Sequence, residues 1–140
     1  MIKIAHRGNV EGKSHRENHP SYIKEALTRG YEVEVDVWFT FIEPIDDTGY
    51  FLGHDSPDHS IDLDFLFQKG LWIHCKDRIT FDELSKHKEL NIFQHTESAW
   101  KKGYPAITSY GYIWVYPEVY DATGNLHAMC KDDLRTFYNN

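Results

Sequence analysis

Residues 31–38 read Tyr31-Glu32-Val33-Glu34-Val35-Asp36-Val37-Trp38, the clearest alternation of apolar and acidic side chains in the chain. Successive side chains of a β-strand point to opposite faces of the sheet, so the valines share one face and the acids the other. On a surface sheet the three acids would form a solvated face. If the valine face packs against helices, the acids line the interior instead.

Short apolar runs separated by turn residues continue along the chain. Eight strands are predicted, over Ile2–His6, Tyr31–Trp38, Tyr50–His54, Leu71–Lys76, Asn91–His95, Ala106–Ser109, Tyr112–Tyr116 and Leu126–Cys130. Helices are predicted between them, over Ser21–Arg29, Ile61–Gln68, Phe81–Lys88 (capped by Thr80) and Glu97–Lys102.

This alternation of strands and helices favours an α/β fold closed into a barrel of parallel strands. We therefore predict a compact, irregular TIM (β/α)8 barrel in which several helices are shortened or replaced by loops. The chain has only 140 residues, whereas such barrels usually contain about 250. A smaller open α/β sheet is the alternative.

Composition limits the classes of protein that fit. With 140 residues and 41% hydrophobic residues, the chain suits a single domain over residues 1–140. A net charge of −7 argues against nucleic acid as a partner. The absence of an apolar run near about 20 residues argues against stable membrane insertion. Because no cleavable signal is evident, we expect a cytoplasmic protein; nothing indicates its oligomeric state.

Side chains suited to catalysis or metal binding fall at the ends of successive predicted strands. Glu34 and Asp36 share one face of a strand, where two carboxylates can converge on a divalent ion. Oxygen ligands favour Mg²⁺, Ca²⁺ or Mn²⁺. The side chains at these strand ends are His6, Glu34, Asp36, His54, His74 and Lys76.

Four motifs occur in a fixed order in the first half of the chain: Ile4-Ala5-His6-Arg7-Gly8, Glu17-Asn18, Glu34-Val35-Asp36-Val37 and His54-Asp55. Together they resemble the opening signature of the glycerophosphodiester phosphodiesterases, a family within the PI-specific phospholipase C-like phosphodiesterase superfamily. The resemblance is specific through about residue 55 and weaker afterwards, at Trp114 and Lys131-Asp132, so the chain looks like a short member.

The resemblance implies a TIM barrel, a divalent metal and cleavage of a small-molecule phosphodiester, with a role in lipid metabolism. His6 and His54 would act as base and acid, in either order, and near neutral pH a histidine can do both. The other roles carried over are metal ligation by Glu34, Asp36 and His74, phosphate binding by Arg7 and Lys76, and an apolar substrate wall at Trp114.

The chain departs from the family pattern at His74, where the family has a glutamate. Three alternatives stay open: His74 ligates the metal, Glu32 or Asp55 takes its place, or the site is impaired. The short segment between Asp55 and His74 lacks the usual capping insertion, which predicts an open mouth that admits bulkier substrates. His95 is a further candidate to line that mouth.

Two other functions remain in view beside the hydrolase. A phospholipase-like lyase would release a cyclic phosphate from the same site. A non-catalytic barrel would bind phosphorylated ligands without turnover. The Glu17-Asn18 pair either positions the first loop or touches the substrate.

Overall fold

The structure is a computed structural model that describes residues 2–42, 44, 47–94, 106–107, 113–115 and 128–136. The strands within these residues are β1 Ile2–His6, β2 Glu32–Ile42, β3 Asp47–Leu52, β4 His59–Ile61, β5 Leu71–Cys75, β6 Ile92–Phe93, β7 Ala106–Ile107, β8 Ile113–Val115 and β9 Ala128–Lys131. The helices are α1 Pro20–Thr28 and α2 Arg78–Leu84, with short 3₁₀ helices at Leu63–Phe67 and Leu134–Thr136.

All the described strands belong to one mixed sheet. Six of them run parallel in the spatial order β8-β9-β1-β2-β5-β6. The strands β3, β4 and β7 each pair antiparallel with a neighbour. The parallel strands direct their carboxyl ends to one edge of the sheet, where side chains from distant parts of the sequence can meet.

The prediction of a TIM (β/α)8 barrel is wrong. The described strands form an open sheet that does not close into a barrel, and the described residues contain only two short α-helices. A (β/α)8 barrel needs a crossover helix after each strand. Between β2 and β5 this chain instead forms two antiparallel strands and a 3₁₀ turn, which leaves no room for such a helix.

The third predicted strand is also corrected, because β3 ends at Leu52 rather than at His54. β2 continues four residues beyond its predicted end, and β3 folds back along it so that Leu52 is level with Val37. The Gly53 N–H then donates to the carbonyl of Asp36 over 3.1 Å. The hairpin thus returns the chain to the level of Asp36 just before His54.

The two faces of the sheet have different partners. Val33, Val35 and Val37 are fully buried in the larger apolar core, together with Ile23 and Ala26 of α1. A smaller apolar cluster lies on the acidic face and contains Ile4, Trp72, Phe93, Ala128 and Cys130. The valines and acids therefore separate onto opposite faces as predicted, and Glu34 and Asp36 are interior residues.

The start of α2 differs from its prediction. Asp77, not Thr80, caps this helix: its Oδ1 accepts the Thr80 N–H at 2.8 Å and the Thr80 hydroxyl at 2.6 Å. The Thr80 hydroxyl oxygen accepts the Phe39 N–H at 2.8 Å. Thr80 therefore joins α2 to β2, a long-range role that a local capping motif does not reveal.

Two further features concern the predicted chemistry of the chain. Cys75 and Cys130 are free and buried, and burial raises the pKa of the Cys75 thiol and of the Cys130 thiol. Thiols in this state are poor nucleophiles. None of the helices within the described residues is long and apolar enough to cross a membrane.

Candidate metal centre and active site

Strand register brings the predicted side chains together where β1 and β5 end, beside the first half of β2. His6 is level with Glu34 on the neighbouring strand, and Asp36 is level with His74. Adjacent strands lie about 4.8 Å apart, so side chains that are level on one face touch. All four residues are buried, with 1% to 7% of their surface exposed.

Glu34, Asp36 and His74 form a compact group of potential metal ligands. One ligand atom from each lies within 4.8 Å of the others. His74 Nδ1 is 2.9 Å from Asp36 Oδ1 and 3.7 Å from Glu34 Oε2. Within the described residues, Glu34 Oε1 is a buried oxygen that accepts no hydrogen bond. A divalent cation fits this set, because it would satisfy that oxygen and offset two adjacent carboxylates.

The two carboxylates have opposite electrostatic environments. Burial, reinforced by the charge of Asp36, raises the pKa of Glu34 well above its ordinary value. Burial alone would also raise the pKa of Asp36. The hydrogen bond from His74 and the charges of His74 and Lys76 outweigh that effect and hold the Asp36 pKa well below its usual range. The folded state therefore favours the charged form of Asp36, whereas at Glu34 the effect of burial exceeds the opposing charges of Arg7 and Lys76.

Two cationic side chains lie against Asp36. Arg7 Nε is 3.3 Å from Asp36 Oδ2, and Lys76 Nζ is 3.8 Å from Asp36 Oδ1. Arg7 has a left-handed backbone (φ 55°), and its Nη1 donates to Glu17 Oε1 over 3.2 Å. Both predicted phosphate ligands thus reach the candidate metal centre, and Glu17 orients one of them.

Asn18 has a positioning role that the sequence left undecided. Its Oδ1 accepts the Asp36 N–H at 3.0 Å, while its Nδ2 donates to Asp36 Oδ2 over 2.8 Å. Asn18 adopts a positive φ of 62°, which Asn tolerates better than most residues. Glu17 and Asn18 therefore hold Arg7 and Asp36 in place.

His6 is paired with Asp132, a residue that sequence reasoning did not include in the site. His6 Nδ1 donates to Asp132 Oδ1 over 2.7 Å, and Asn9 donates to the same oxygen over 3.0 Å. The other ring nitrogen, Nε2, lies 4.0 Å from Glu34 Oε1. Burial lowers the pKa of His6, against the opposing effect of the hydrogen bond with Asp132. His6 is thus a neutral imidazole that presents Nε2 to the candidate metal centre.

Replacing Asp132 by Asn is expected to lower the pKa of His6 further. The Asp132 carboxylate raises that pKa through its hydrogen bond and its charge, and the substitution removes the charge. An NMR titration of the His6 imidazole measures the shift. Asp133→Asn is the matched control, because the Asp133 carboxylate pairs with exposed Arg135 instead. An unchanged His6 titration in Asp132→Asn would show that the pair does not set the protonation state of His6.

His54 stands apart from the buried cluster. It follows the hairpin return at Gly53, and its side chain is 37% exposed. The Asp55 carboxylate accepts a hydrogen bond from His54 Nδ1 at 2.7 Å. A Cβ on Gly53 would come within 1.9 Å of the Ser56 carbonyl oxygen, so glycine is required for the loop that carries His54. His54 is thus a solvent-accessible group that follows Gly53, the residue hydrogen-bonded to the Asp36 carbonyl.

The alternatives for the third metal ligand differ in position. Glu32 lies near the start of β2, where its carboxylate accepts the Trp72 indole N–H at 2.8 Å. The Asp55 side chain is 93% exposed and engaged by His54. The structure brings His74, and neither Glu32 nor Asp55, into the group with Glu34 and Asp36.

The predicted roles of two residues depend on side chains outside the described part of the chain. Trp114 lies on β8, level with Ala128 of β9, but its side chain is outside the described part of the chain. His95 also lies outside the described residues. Their predicted roles at the mouth of the site stay predictions.

Asp132 carries the same signal that identified the other side chains, since it directly follows an apolar strand. What the sequence does not reveal is that β9 pairs with β1, from which it is separated by more than 120 residues. Comparison of the chain with protein-family models, with curated proteins and with solved structures found no match.

Proposed function

We propose that this protein is a metal-dependent phosphodiesterase that cleaves a glycerophosphodiester-type substrate by acid–base catalysis with His6 and His54. The observation that carries the proposal is the buried group of Glu34, Asp36 and His74 beside the His6 imidazole. A phosphodiester is a weakly reactive anion, so its cleavage needs positive charge at the phosphoryl oxygens and a proton acceptor beside them.

A divalent cation held by Glu34, Asp36 and His74 would polarise a phosphoryl oxygen and offset the charge of the transition state. The unsatisfied Glu34 Oε1 supports a cation at this place. Arg7 and Lys76 lie on the Asp36 side of the group and supply further positive charge for the phosphate. Local cations of this kind let a chain of net charge −7 accept an anionic substrate.

His6 is suited to be the general base. Asp132 holds the ring proton on Nδ1, which leaves the Nε2 lone pair facing Glu34. Because burial lowers the pKa of His6, the imidazole is neutral near pH 7 and can accept the proton of an attacking hydroxyl.

His54 is suited to be the general acid. Its ring is partly exposed and hydrogen-bonded to the Asp55 carboxylate, so it can donate a proton to the leaving alcohol and recover one from water. The pair therefore divides the two proton transfers between a buried and an exposed imidazole.

The resemblance to the glycerophosphodiester phosphodiesterases supports this reaction class. It rests on the motifs that contain His6, Arg7, Glu34, Asp36 and His54. The open sheet departs from the barrel of that family, so the proposal depends on the arrangement of the site and not on the fold.

Phosphorus NMR of the purified protein with a panel of phosphodiesters tests the proposal. The panel contains glycerophosphodiesters, a lysophospholipid and a simple aryl diester, each with Mg²⁺ or Mn²⁺ and again with a chelator. We expect a phosphomonoester to appear with metal and not with chelator. A cyclic phosphate that accumulates first would identify a lyase acting through the same site. No turnover with any of these metals, together with retained binding of phosphorylated ligands, would contradict catalysis and favour a binding protein.

A further inference from the structure

We infer that His74 makes this centre selective for a borderline divalent ion, so that Zn²⁺ and Mn²⁺ bind more tightly than Mg²⁺ and Ca²⁺. This selectivity rests on the proposed function, because the same three side chains hold the cation in both. It specifies the class of metal, which the reaction class alone does not.

The spacing of the ligand atoms suits a small ion with a nitrogen ligand. For bonds of about 2.1 Å, neighbouring ligand atoms lie about 3.0 Å apart in an octahedron and about 3.4 Å apart in a tetrahedron. His74 Nδ1 lies 2.9 Å from Asp36 Oδ1 and 3.7 Å from Glu34 Oε2, which brackets these values. The nitrogen therefore lies where a third ligand is needed.

Asp36 can offer only one oxygen to the ion. Its Oδ2 accepts the Asn18 amide at 2.8 Å and lies 3.3 Å from Arg7 Nε. Oδ1 lies 2.9 Å from His74 Nδ1 and 3.8 Å from Lys76 Nζ. Because a ligating Nδ1 carries no proton, metal binding would release Oδ1 from its hydrogen bond with His74 and free it for coordination. Calcium prefers six to eight oxygen ligands and commonly binds carboxylates through both oxygens, so a single-oxygen aspartate disfavours it.

The His74 ring is fixed in the orientation that ligation requires. It stacks on Phe93 with ring planes 8° apart and centroids 5.0 Å apart. Only 9% of the His74 side chain is exposed. The packing holds Nδ1 toward the carboxylates, and in the tautomer with the proton on Nε2 this nitrogen carries a free electron pair.

The mixed ligand set decides the preference. Mg²⁺ and Ca²⁺ favour oxygen ligands, whereas imidazole suits Zn²⁺ and other transition metals. Two carboxylates and one imidazole, with remaining positions for water or phosphate, also match the ligand number of a catalytic zinc site. We therefore expect the affinity order Zn²⁺, then Mn²⁺, then Mg²⁺.

Isothermal titration calorimetry of the chelator-stripped protein with each metal chloride alone measures this order. We expect one site in which Mn²⁺ and Zn²⁺ bind at least about tenfold more tightly than Mg²⁺, since one good ligand change is worth a factor of that size. Equal or tighter binding of Mg²⁺ by the wild-type protein would overturn the inferred selectivity.

The variant His74→Glu is expected to reduce the preference for Mn²⁺ over Mg²⁺ by about tenfold, because it replaces nitrogen by oxygen. His87→Glu is the matched control, since His87 follows α2 and contacts Phe67 edge to face. With Co²⁺ as a spectroscopic probe, the visible absorption should change in His74→Glu and not in His87→Glu. If His74→Glu does not fold, His74→Asn serves in its place. An unchanged metal order or an unchanged Co²⁺ spectrum in the folded variant would exclude His74 as a ligand.

Failure of the selectivity and failure of the proposed function give different results. Full turnover of a phosphodiester with Mg²⁺ and no gain in affinity for Mn²⁺ would reject the selectivity and leave the phosphodiesterase. Tight Mn²⁺ or Zn²⁺ binding that depends on His74, without turnover of any phosphodiester, would reject the phosphodiesterase and leave the metal centre.

Discussion

Replacing His6 by Ala is expected to reduce phosphodiester turnover by about 10³-fold, within the range usual for loss of a general acid or base. Asp132 holds the ring proton of His6 on Nδ1, and Nε2 faces Glu34, where it can accept a proton. Without the imidazole, the attacking hydroxyl must lose its proton to water. His54→Ala should reduce turnover by a similar factor, because the leaving alcohol then lacks a proton donor.

Steady-state turnover measured by phosphorus NMR tests both substitutions. His87→Ala is the matched control and should retain the wild-type rate, because His87 lies beyond α2 and away from the site. Thermal unfolding of each variant shows whether the fold is kept. A folded His6→Ala or His54→Ala protein with most of the wild-type rate would disprove the two-histidine mechanism.

Replacing Asp36 by Ala is expected to lower the free energy of unfolding of the metal-free protein by about 3–5 kcal/mol, the usual effect of removing one partner of a buried ion pair. Asp36 is 1% exposed and holds four polar groups, those of Arg7, Asn18, His74 and Lys76. Its removal leaves positive charge and a buried amide without their main acceptor. Urea unfolding in the presence of a chelator measures the loss.

Replacing Glu34 by Gln should have the opposite sign and raise the free energy of unfolding near neutral pH by about 1–3 kcal/mol, because it removes a buried charge whose desolvation is costly. Burial raises the pKa of Glu34 above its ordinary value of 4.5, so the folded state favours the protonated form. The contribution of Glu34 to stability is therefore fully present below pH 4.5. That contribution is lost as the pH rises through the raised folded pKa.

The difference in free energy of unfolding between Glu34→Gln and wild type should accordingly grow from acid to neutral pH, because Gln does not ionise. Unfolding curves at several pH values with chelator present measure this trend, and saturating metal should reverse it by stabilising the wild-type carboxylate. A Glu34→Gln protein that is less stable than wild type at neutral pH, without metal, would contradict the view that the cost of burying the Glu34 charge exceeds its compensation by nearby cations.

Some of the features behind these predictions could be predicted from the sequence, and others could not. The acids of β2 and the valines between them were predicted to lie on opposite faces, and they do, because alternation along a strand is a local property of the backbone. The grouping of Glu34 and Asp36 with His74 was predicted from neighbouring strands, although β2 continues past both acids to Ile42. The helix Pro20–Thr28 lies within one residue of its predicted bounds for the same local reason.

Whether the sheet closes into a barrel could not be predicted from local sequence patterns. Strand count and helix alternation suggested closure, but the chain between β2 and β5 turns back as a hairpin, which depends on the pairing of Val37 with Leu52. Because of that pairing, His54 follows the antiparallel strand β3 and does not lie at the end of a parallel strand. Long-range pairing of this kind has no periodic signature in a single sequence.

The sequence by itself predicted the candidate site residues and determined that the acids of β2 share one face opposite the valines, because residue type and strand period are local. Only the tertiary structure decided that β9 lies beside β1 and brings Asp132 to His6, and that Asn18 clamps Asp36. The opposite pKa shifts of Glu34 and Asp36 were decided there as well. Desolvation and charge compensation depend on what surrounds a carboxylate in space, and two acids separated by a single residue can meet different surroundings.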